Sequence, residues 1–169
     1  MTAPMFNTLQ SAKAAELQLK NLRSCQARDG VAWSGSVYFR GKKVGAVYDQ
    51  GCGGPVNCEV PNSVLQPIRD AVEAAGYQLL DWNGQPFEKP FDLNGFAEFF
   101  FADLADEVEA AKRMRPKLKT KTLVRMKGDP AGELQVYSVA FSPEVKARLC
   151  DRHGDKIEFF MNEKINDLL

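Results

Sequence analysis

The sequence predicts an α+β fold, in which antiparallel strands pack with one long and two or three shorter helices. Two neighbouring stretches rich in Val, Tyr and Phe flank a short glycine turn, as in a β-hairpin. A phenylalanine-rich stretch has helical periodicity, and strands and helices follow one another without regular βαβ alternation. The 169 residues fit a single domain, residues 1–169, which we subdivide into a β-meander part, 16–60, and an α/β part, 91–169.

A three-stranded antiparallel meander is predicted over Glu16–Tyr48. Its clearest strands are Val31–Phe39 and Lys43–Tyr48. They are separated by Arg40-Gly41-Lys42, a turn whose glycine can adopt a positive φ. The apolar residues expected to share faces are Trp33, Val37 and Phe39 on one strand and Val44, Ala46 and Tyr48 on the facing strand.

Asn62 or Ser63 is predicted to cap a first amphipathic helix, which stops at Gly76. Its apolar residues recur at spacings of three and four: Leu65, Ile68 and Val72. Pro67 is accommodated only if it lies in the first turn, where its missing N–H would have no helical partner.

Asp92 or Asn94 is predicted to cap the longest helix, which runs to about Met114. Its apolar face is unusually broad, and its members are Phe96, Ala97, Phe100, Phe101, Leu104, Ala105, Val108 and Ala111. A face of this width is buried. It fits either the core of the protein or the interface of a homodimer.

The C-terminal third is predicted to contain a second hairpin, Thr120–Lys127 with Glu133–Phe141. Ser142 then caps a short helix, because Ser is a favoured N-cap and Pro and Glu follow it. Lys156–Phe160 is expected to form a last strand, and Met161–Leu169 a final helical turn or two.

Composition excludes some classes of protein. The chain has 44% hydrophobic and 26% charged residues, and its formal net charge is zero. A zero net charge argues against constitutive coating of nucleic acid or of an anionic membrane, but it says nothing about local patches of charge. We find no run of about 20 apolar residues that would span a membrane, and Met1–Leu9 lacks the pattern of a secretory signal. We therefore expect a cytoplasmic protein with no membrane partner, whose cysteines are reduced.

Reactive side chains are few. The cysteines are Cys25, Cys52, Cys58 and Cys150, and His153 is the single histidine. Their spacing departs from the closely paired ligands of a zinc site. Asp103 and Glu107 share a helix face, as an acid–base pair would, but such clusters are more often solvated surface. We expect no metal, no cofactor and no catalytic residues, and we favour a protein that is not an enzyme.

A glycine-rich segment follows the predicted meander. No Lys-Ser or Lys-Thr follows its glycines, so it is no P-loop, and its spacing does not match the dinucleotide-binding fingerprint. The alternatives are an ordered turn that leaves the hairpin and a loop that contacts a partner. The residues predicted to contact a partner are Asp49, Gln50, Gly51, Gly53, Gly54 and Asn57.

Charge is segregated along the chain. Eight acids and one lysine lie between Asp81 and Ala110, whereas Ala111–Lys127 contains eight bases and no acid. If Lys117, Lys119 and Lys121 lie on an extended segment, they project from one side as a ridge. This ridge is either solvated surface that guards a sheet edge or a contact for nucleic acid or an acidic partner. Its candidate contact residues are Lys112, Arg113, Arg115, Lys117, Lys119, Lys121 and Arg125.

One segment resembles small uncharacterised proteins of bacteriophages and prophages. The similarity lies in Val37–Val47, with its Gly-Lys-Lys turn, and continues through Asp49-Gln50-Gly51-Cys52-Gly53-Gly54. The resemblance brings no catalytic residues. The resemblance implies a phage accessory protein that acts in the cytoplasm of an infected host cell.

Three functions are compatible with these features. The first is a non-enzymatic phage-type accessory protein that binds a host protein and inhibits or redirects a host or anti-phage defence factor. The second is a nucleic-acid-binding protein that uses the basic segment 112–127, with Tyr137 or Trp33 as stacking groups. The third is a small-ligand-binding or enzymatic protein built on the glycine loop.

Overall fold

The computed structural model describes residues 5–81, 83–87, 91–130 and 132–168. Within those ranges the chain forms five α-helices and two antiparallel sheets, so the predicted α+β class is confirmed. The described residues divide into two compact units: one is residues 6–109, and the other is residues 110–168 together with Met5. The boundary between the units falls inside the longest helix.

The first unit contains a four-stranded sheet with strand order β1-β2-β3-β4. Its elements are α1 (Asn7–Ala14), β1 (Leu17–Gln26), β2 (Val31–Phe39), β3 (Lys42–Asp49), β4 (Asn57–Cys58), α2 (Asn62–Ala74) and most of α3 (Leu93–Met114). The predicted three-stranded meander is therefore confirmed, and β4 adds a short fourth strand.

The β2–β3 hairpin turns through Arg40 and Gly41, at φ 49° and 78°. Two successive positive φ values give the turn a twist that matches the twist of the flanking strands. The face assignment of β3 is wrong, however. Val37 pairs with Gly45 and Tyr38 with Lys43, so one extra residue in β3 forms a bulge and reverses the alternation beyond it.

Val47, not Val44, Ala46 or Tyr48, is therefore the fully buried residue of β3. It lies opposite Gly35 on β2. A sequence pattern alone does not locate such a bulge, because the inserted residue, a valine, is as apolar as its neighbours.

Helix α2 buries the predicted stripe of Leu65, Ile68 and Val72. The predicted cap is wrong: the N-cap position is Pro61, and no side chain caps the helix there. Its Pro67 lies in the helix interior and not in the first turn, so that expectation is wrong. A proline there leaves the carbonyl of Ser63 without its helical donor. Ser63 and Pro67 are both exposed, so water can reach that carbonyl.

Helix α3 begins directly after Asp92, whose Oδ1 accepts a hydrogen bond from the Gly95 N–H at 2.7 Å. Its phenylalanine-rich face is core: Phe100 is fully buried, and the Tyr77 ring meets it edge-on with ring centroids 4.9 Å apart. This part of the helix is therefore not exposed for a dimer interface.

The second unit is built on a three-stranded sheet with strand order β6-β5-β7. Its elements after α3 are a 3₁₀ turn (Lys117–Lys119), β5 (Thr122–Met126), β6 (Gln135–Tyr137), α4 (Pro143–His153), a 3₁₀ turn (Gly154–Lys156), β7 (Ile157–Phe160) and α5 (Met161–Leu168). The predicted second hairpin, last strand and final helix are all present.

One cluster in the core of the second unit consists of Val124, Met126, Leu149 and Phe160. Ser142 caps α4 as predicted, since its Oγ accepts a hydrogen bond from the Val145 N–H at 3.2 Å. The cap fixes where α4 begins, directly after Ser142, and the neighbouring Phe141 packs against the core.

Candidate functional site

The end of α3 and the turn that follows it carry a dense group of cations. We call the set Lys112, Arg113, Arg115, Lys117, Lys119 and Lys121 the basic surface. All six are exposed except Lys121, which is half-buried. The whole group belongs to the second unit.

The basic surface is not the extended ridge predicted from the sequence. Pro116 has helical dihedrals, φ −62° and ψ −35°, and Lys117–Lys119 continue as a 3₁₀ turn. The N–H groups of Lys119 and Thr120 bond back to Pro116 and Lys117, each at 3.3 Å. A 3₁₀ turn has about three residues per turn, so lysines two residues apart point in different directions and do not line one side.

These six cations are not neutralised within the part of the chain that the structure describes, where none of them forms a salt bridge. By contrast, Lys146 on α4 is paired with Glu163 at 2.7 Å. No described acidic side chain therefore pairs with the positive charge of the basic surface, and this charge is available to an anionic partner.

Arg125 differs from the other predicted basic contacts because it is 7% exposed. Its guanidinium donates to the carbonyls of Pro130, Glu133 and Asp129 and lies 3.5 Å from the Glu158 carboxylate. It thus organises the chain between β5 and β6 and is not part of the basic surface.

A cavity of about 400 Å³ opens beside the basic surface. It is lined by Arg115, Leu118, Lys119, Phe141 and Asn162. Phe141 is half-buried, and its ring packs against Phe160 with centroids 5.5 Å apart. The cavity thus combines an aromatic side chain with two exposed cations.

Asn162, at the start of α5, forms hydrogen bonds that connect the segments lining this cavity. Its Oδ1 accepts the Leu123 N–H at 2.9 Å, and its Nδ2 donates to the carbonyls of Lys121, at 2.8 Å, and Leu118, at 3.3 Å. One buried amide therefore ties α5 to the turn after α3 and to β5. The sequence does not reveal this role, because an asparagine at the start of a short helix has no distinctive local pattern.

The glycine loop projects from the first unit. Gly51 is buried, and its N–H donates to Asp49 Oδ1 at 2.7 Å. Gln50, Gly53 and Gly54 are exposed, and a side chain at Gly53 would meet nothing within 4 Å. The loop is thus an ordered, outward-facing turn.

Asn57, the last of the predicted loop contacts, is half-buried in β4. Its Nδ2 donates to the Pro55 carbonyl at 3.4 Å. Asn57 therefore closes the loop on itself, and Gln50 is the exposed polar side chain that the loop presents.

The thiols and the imidazole do not form a metal site. No group of three or more His, Cys, Asp or Glu residues suited to a metal ion occurs among the described residues. Cys58 is half-buried, and burial raises the pKa of its thiol. His153 Nε2 lies 3.0 Å from the Tyr137 hydroxyl, a contact that links α4 to β6.

The two carboxylates that share a face of α3 are Asp103 and Glu107, and their surroundings differ. Glu107 accepts the N–H groups of Leu9, at 2.7 Å, and Thr8, at 3.4 Å, and so caps α1. Burial raises the Glu107 pKa, and these hydrogen bonds oppose the shift. The Asp103 residue is largely exposed, yet burial of its carboxyl, followed by repulsion from Asp106, raises its pKa to about 6.

A second cavity, of about 380 Å³, lies in the first unit between α2, α3 and the chain that joins them. Its charged groups are Arg69 and Glu73, which pair with each other at 2.8 Å; Arg69 also donates to the Phe91 carbonyl at 2.7 Å. Phe87 and Phe99 are 41% and 39% exposed. The aromatic cluster Phe87, Phe91 and Phe99 was not anticipated from the sequence.

Comparison of the chain with protein-family models, curated proteins and solved structures gave no match. No helix in the described ranges has the length and apolar character needed to cross a bilayer. Any assignment of function therefore depends on the site geometry alone.

Proposed function

We propose that this chain is a non-enzymatic binding protein whose basic surface holds nucleic acid. One observation carries the proposal: six cations lie within residues 112–121, and none forms a salt bridge with a described residue. Neutralising a phosphate with such a cation releases condensed counterions, which drives binding.

Two further features favour a binding surface and argue against a catalytic site. The buried amide of Asn162 is committed to structural hydrogen bonds. In the cavity of the first unit between α2 and α3, Arg69 and Glu73 neutralise each other. The basic surface, by contrast, presents charge that no described side chain pairs with.

A charge-reversal experiment with a matched control tests the proposal. The variant Lys117→Glu/Lys119→Glu reverses two exposed charges of the basic surface, and Lys42→Glu/Lys43→Glu reverses two exposed charges of the β2–β3 hairpin. Both change the net charge equally. Binding of a labelled oligonucleotide is measured by fluorescence anisotropy at about 50 mM salt.

We expect the first variant to bind at least about tenfold more weakly than the wild type, because two phosphate contacts become repulsive. The hairpin variant should retain wild-type affinity. Equal losses in both variants would show that only net charge matters, and the proposal would fail. It would also fail if the wild-type protein bound no nucleic acid at this salt concentration.

A second candidate function is favoured by the first unit: a phage-type accessory protein that binds a host or defence protein. Its motivation is the exposed glycine loop, with Gln50 and Gly53, together with the exposed rings of Phe87 and Phe99. Exposed aromatic residues are typical anchors of protein interfaces. Affinity capture from infected and uninfected bacteria, with Phe87→Asp/Phe99→Asp as the comparison bait, tests it. Recovery of the same proteins by both baits would refute an interface at these rings.

A further inference from the structure

We propose that the cavity beside the basic surface holds one unstacked base of a single-stranded nucleic acid. The inference rests on the proposed nucleic-acid binding and adds the form of the ligand. It comes from the lining of the cavity, which places the aromatic Phe141 together with the cations Arg115 and Lys119.

The cavity has a suitable size. Its volume of about 400 Å³ lies near the lower end of the range for small-ligand sites, roughly 300–1,000 Å³. A base inside an intact duplex is stacked between its neighbours and does not enter a side cavity without unpairing, which costs free energy. A single strand offers its bases without that cost.

The side chains of the lining match the parts of one nucleotide. Phe141 supplies an aromatic surface, and every base has a π-face that stacks on such a ring. Arg115 and Lys119 are both exposed, so they can reach the phosphates on either side of the inserted base. An aromatic platform within a basic groove is the usual arrangement for binding single strands.

The lining also predicts weak sequence preference. Both donor positions of the Asn162 amide are occupied by the carbonyls of Leu118 and Lys121, so this amide does not donate to a base edge. Reading of sequence depends on contacts to base edges, whereas stacking and phosphate contacts carry little sequence information. We therefore expect thymidine, adenine and uridine oligomers to bind with similar affinities.

The test compares Phe141→Leu with Phe99→Leu, a matched loss of a half-exposed ring in the other unit. Anisotropy titrations use labelled single-stranded oligothymidylate and oligouridylate, a hairpin duplex of equal phosphate number, and a polyglutamate peptide as competitor. Because Phe141 packs on Phe160, circular dichroism checks the fold of the variant. A second variant, Phe141→Trp, reports stacking through fluorescence quenching beyond that of the wild type, which already contains Trp33 and Trp82.

We expect Phe141→Leu to bind both single strands at least about fivefold more weakly, as loss of a stacking ring implies. Phe99→Leu should bind as the wild type does, and Phe141→Trp should be quenched by the single strands. If the wild type binds single strands but Phe141→Leu binds equally well, or the tryptophan is not quenched, the base site is refuted and the basic surface stands.

Two outcomes would indicate a different ligand. Preference for the duplex, or displacement by polyglutamate at equal charge concentration, would also refute the base site. If the wild type binds neither single strand nor duplex, the proposed function itself fails.

Discussion

Replacing Gly51 with alanine should be the most destabilising single change in the glycine loop. Gly51 has φ +66°, and a Cβ built there would lie 2.6 Å from the Ala32 nitrogen and 2.7 Å from the Ala27 Cβ. The first of these contacts is with backbone, which cannot rotate away as a flexible side chain can. The alanine is therefore strained in its dihedrals and clashes with β2 as well.

The two effects can be separated by comparison with Gly53→Ala. Gly53 has a similar φ, +76°, but open space around its missing Cβ. The left-handed conformation costs a non-glycine residue about 1–2 kcal/mol, and overpacking adds about 1–3 kcal/mol. We therefore expect a loss in free energy of unfolding of roughly 3 kcal/mol for Gly51→Ala and about 1 kcal/mol for Gly53→Ala.

Urea-induced unfolding followed by circular dichroism measures both losses on the same footing. Amide exchange of β2 gives an independent local measure, because the clash is with that strand. If Gly51→Ala loses no more stability than Gly53→Ala, the close approach between Gly51 and Ala32 does not constrain this loop, and its assignment as an ordered turn is wrong.

Two further changes test the second unit and the acidic face of α3. Asn162→Ala should cost about 1–3 kcal/mol, because it leaves the buried Leu123 N–H without an acceptor; thermal unfolding with unchanged stability would contradict the role of this amide. Asp103 has a folded pKa raised to about 6 from its usual 3.8, so its charge opposes folding above that pH and ceases to do so as pH falls toward 4. Asp103→Asn should therefore be more stable than the wild type at pH 7, by less than about 1 kcal/mol because the residue is largely exposed. Equal stability of the two at pH 7, or a difference that grows as pH falls, would contradict this sign.

Local signals predicted much of the fold. Asp92 and Ser142 both cap helices where expected, because capping depends on a few neighbouring atoms. The broad apolar face of α3 is buried, because a stripe of that width has few alternatives in water. The β2–β3 hairpin formed at Arg40-Gly41, where the chain needs two positive φ values.

Other predictions were wrong where tertiary packing outweighed local preference. Pro67 lies inside α2, although a proline is unfavourable in a helix interior. Pro116 ends the α-helix, yet its own dihedrals are helical, and the segment after it continues as a 3₁₀ turn. The extended ridge expected at Lys117 was therefore not found.

Only part of the candidate site could be predicted from the sequence. Its charge could be read directly, since residues 112–121 carry six cations. The burial of Arg125 could not, because it depends on carbonyls that the hairpin brings to its guanidinium. The cavity was likewise hidden, because Arg115, Phe141 and Asn162 come from three separated parts of the chain.

The salt dependence of oligonucleotide binding tests the central claim most directly. With three to six cations of the basic surface contacting phosphates of a single strand, the logarithm of the binding constant should fall linearly with the logarithm of salt concentration, with a slope between about −2 and −4. A slope near zero, or no binding at low salt, would show that the uncompensated charge of residues 112–121 does not serve to hold nucleic acid.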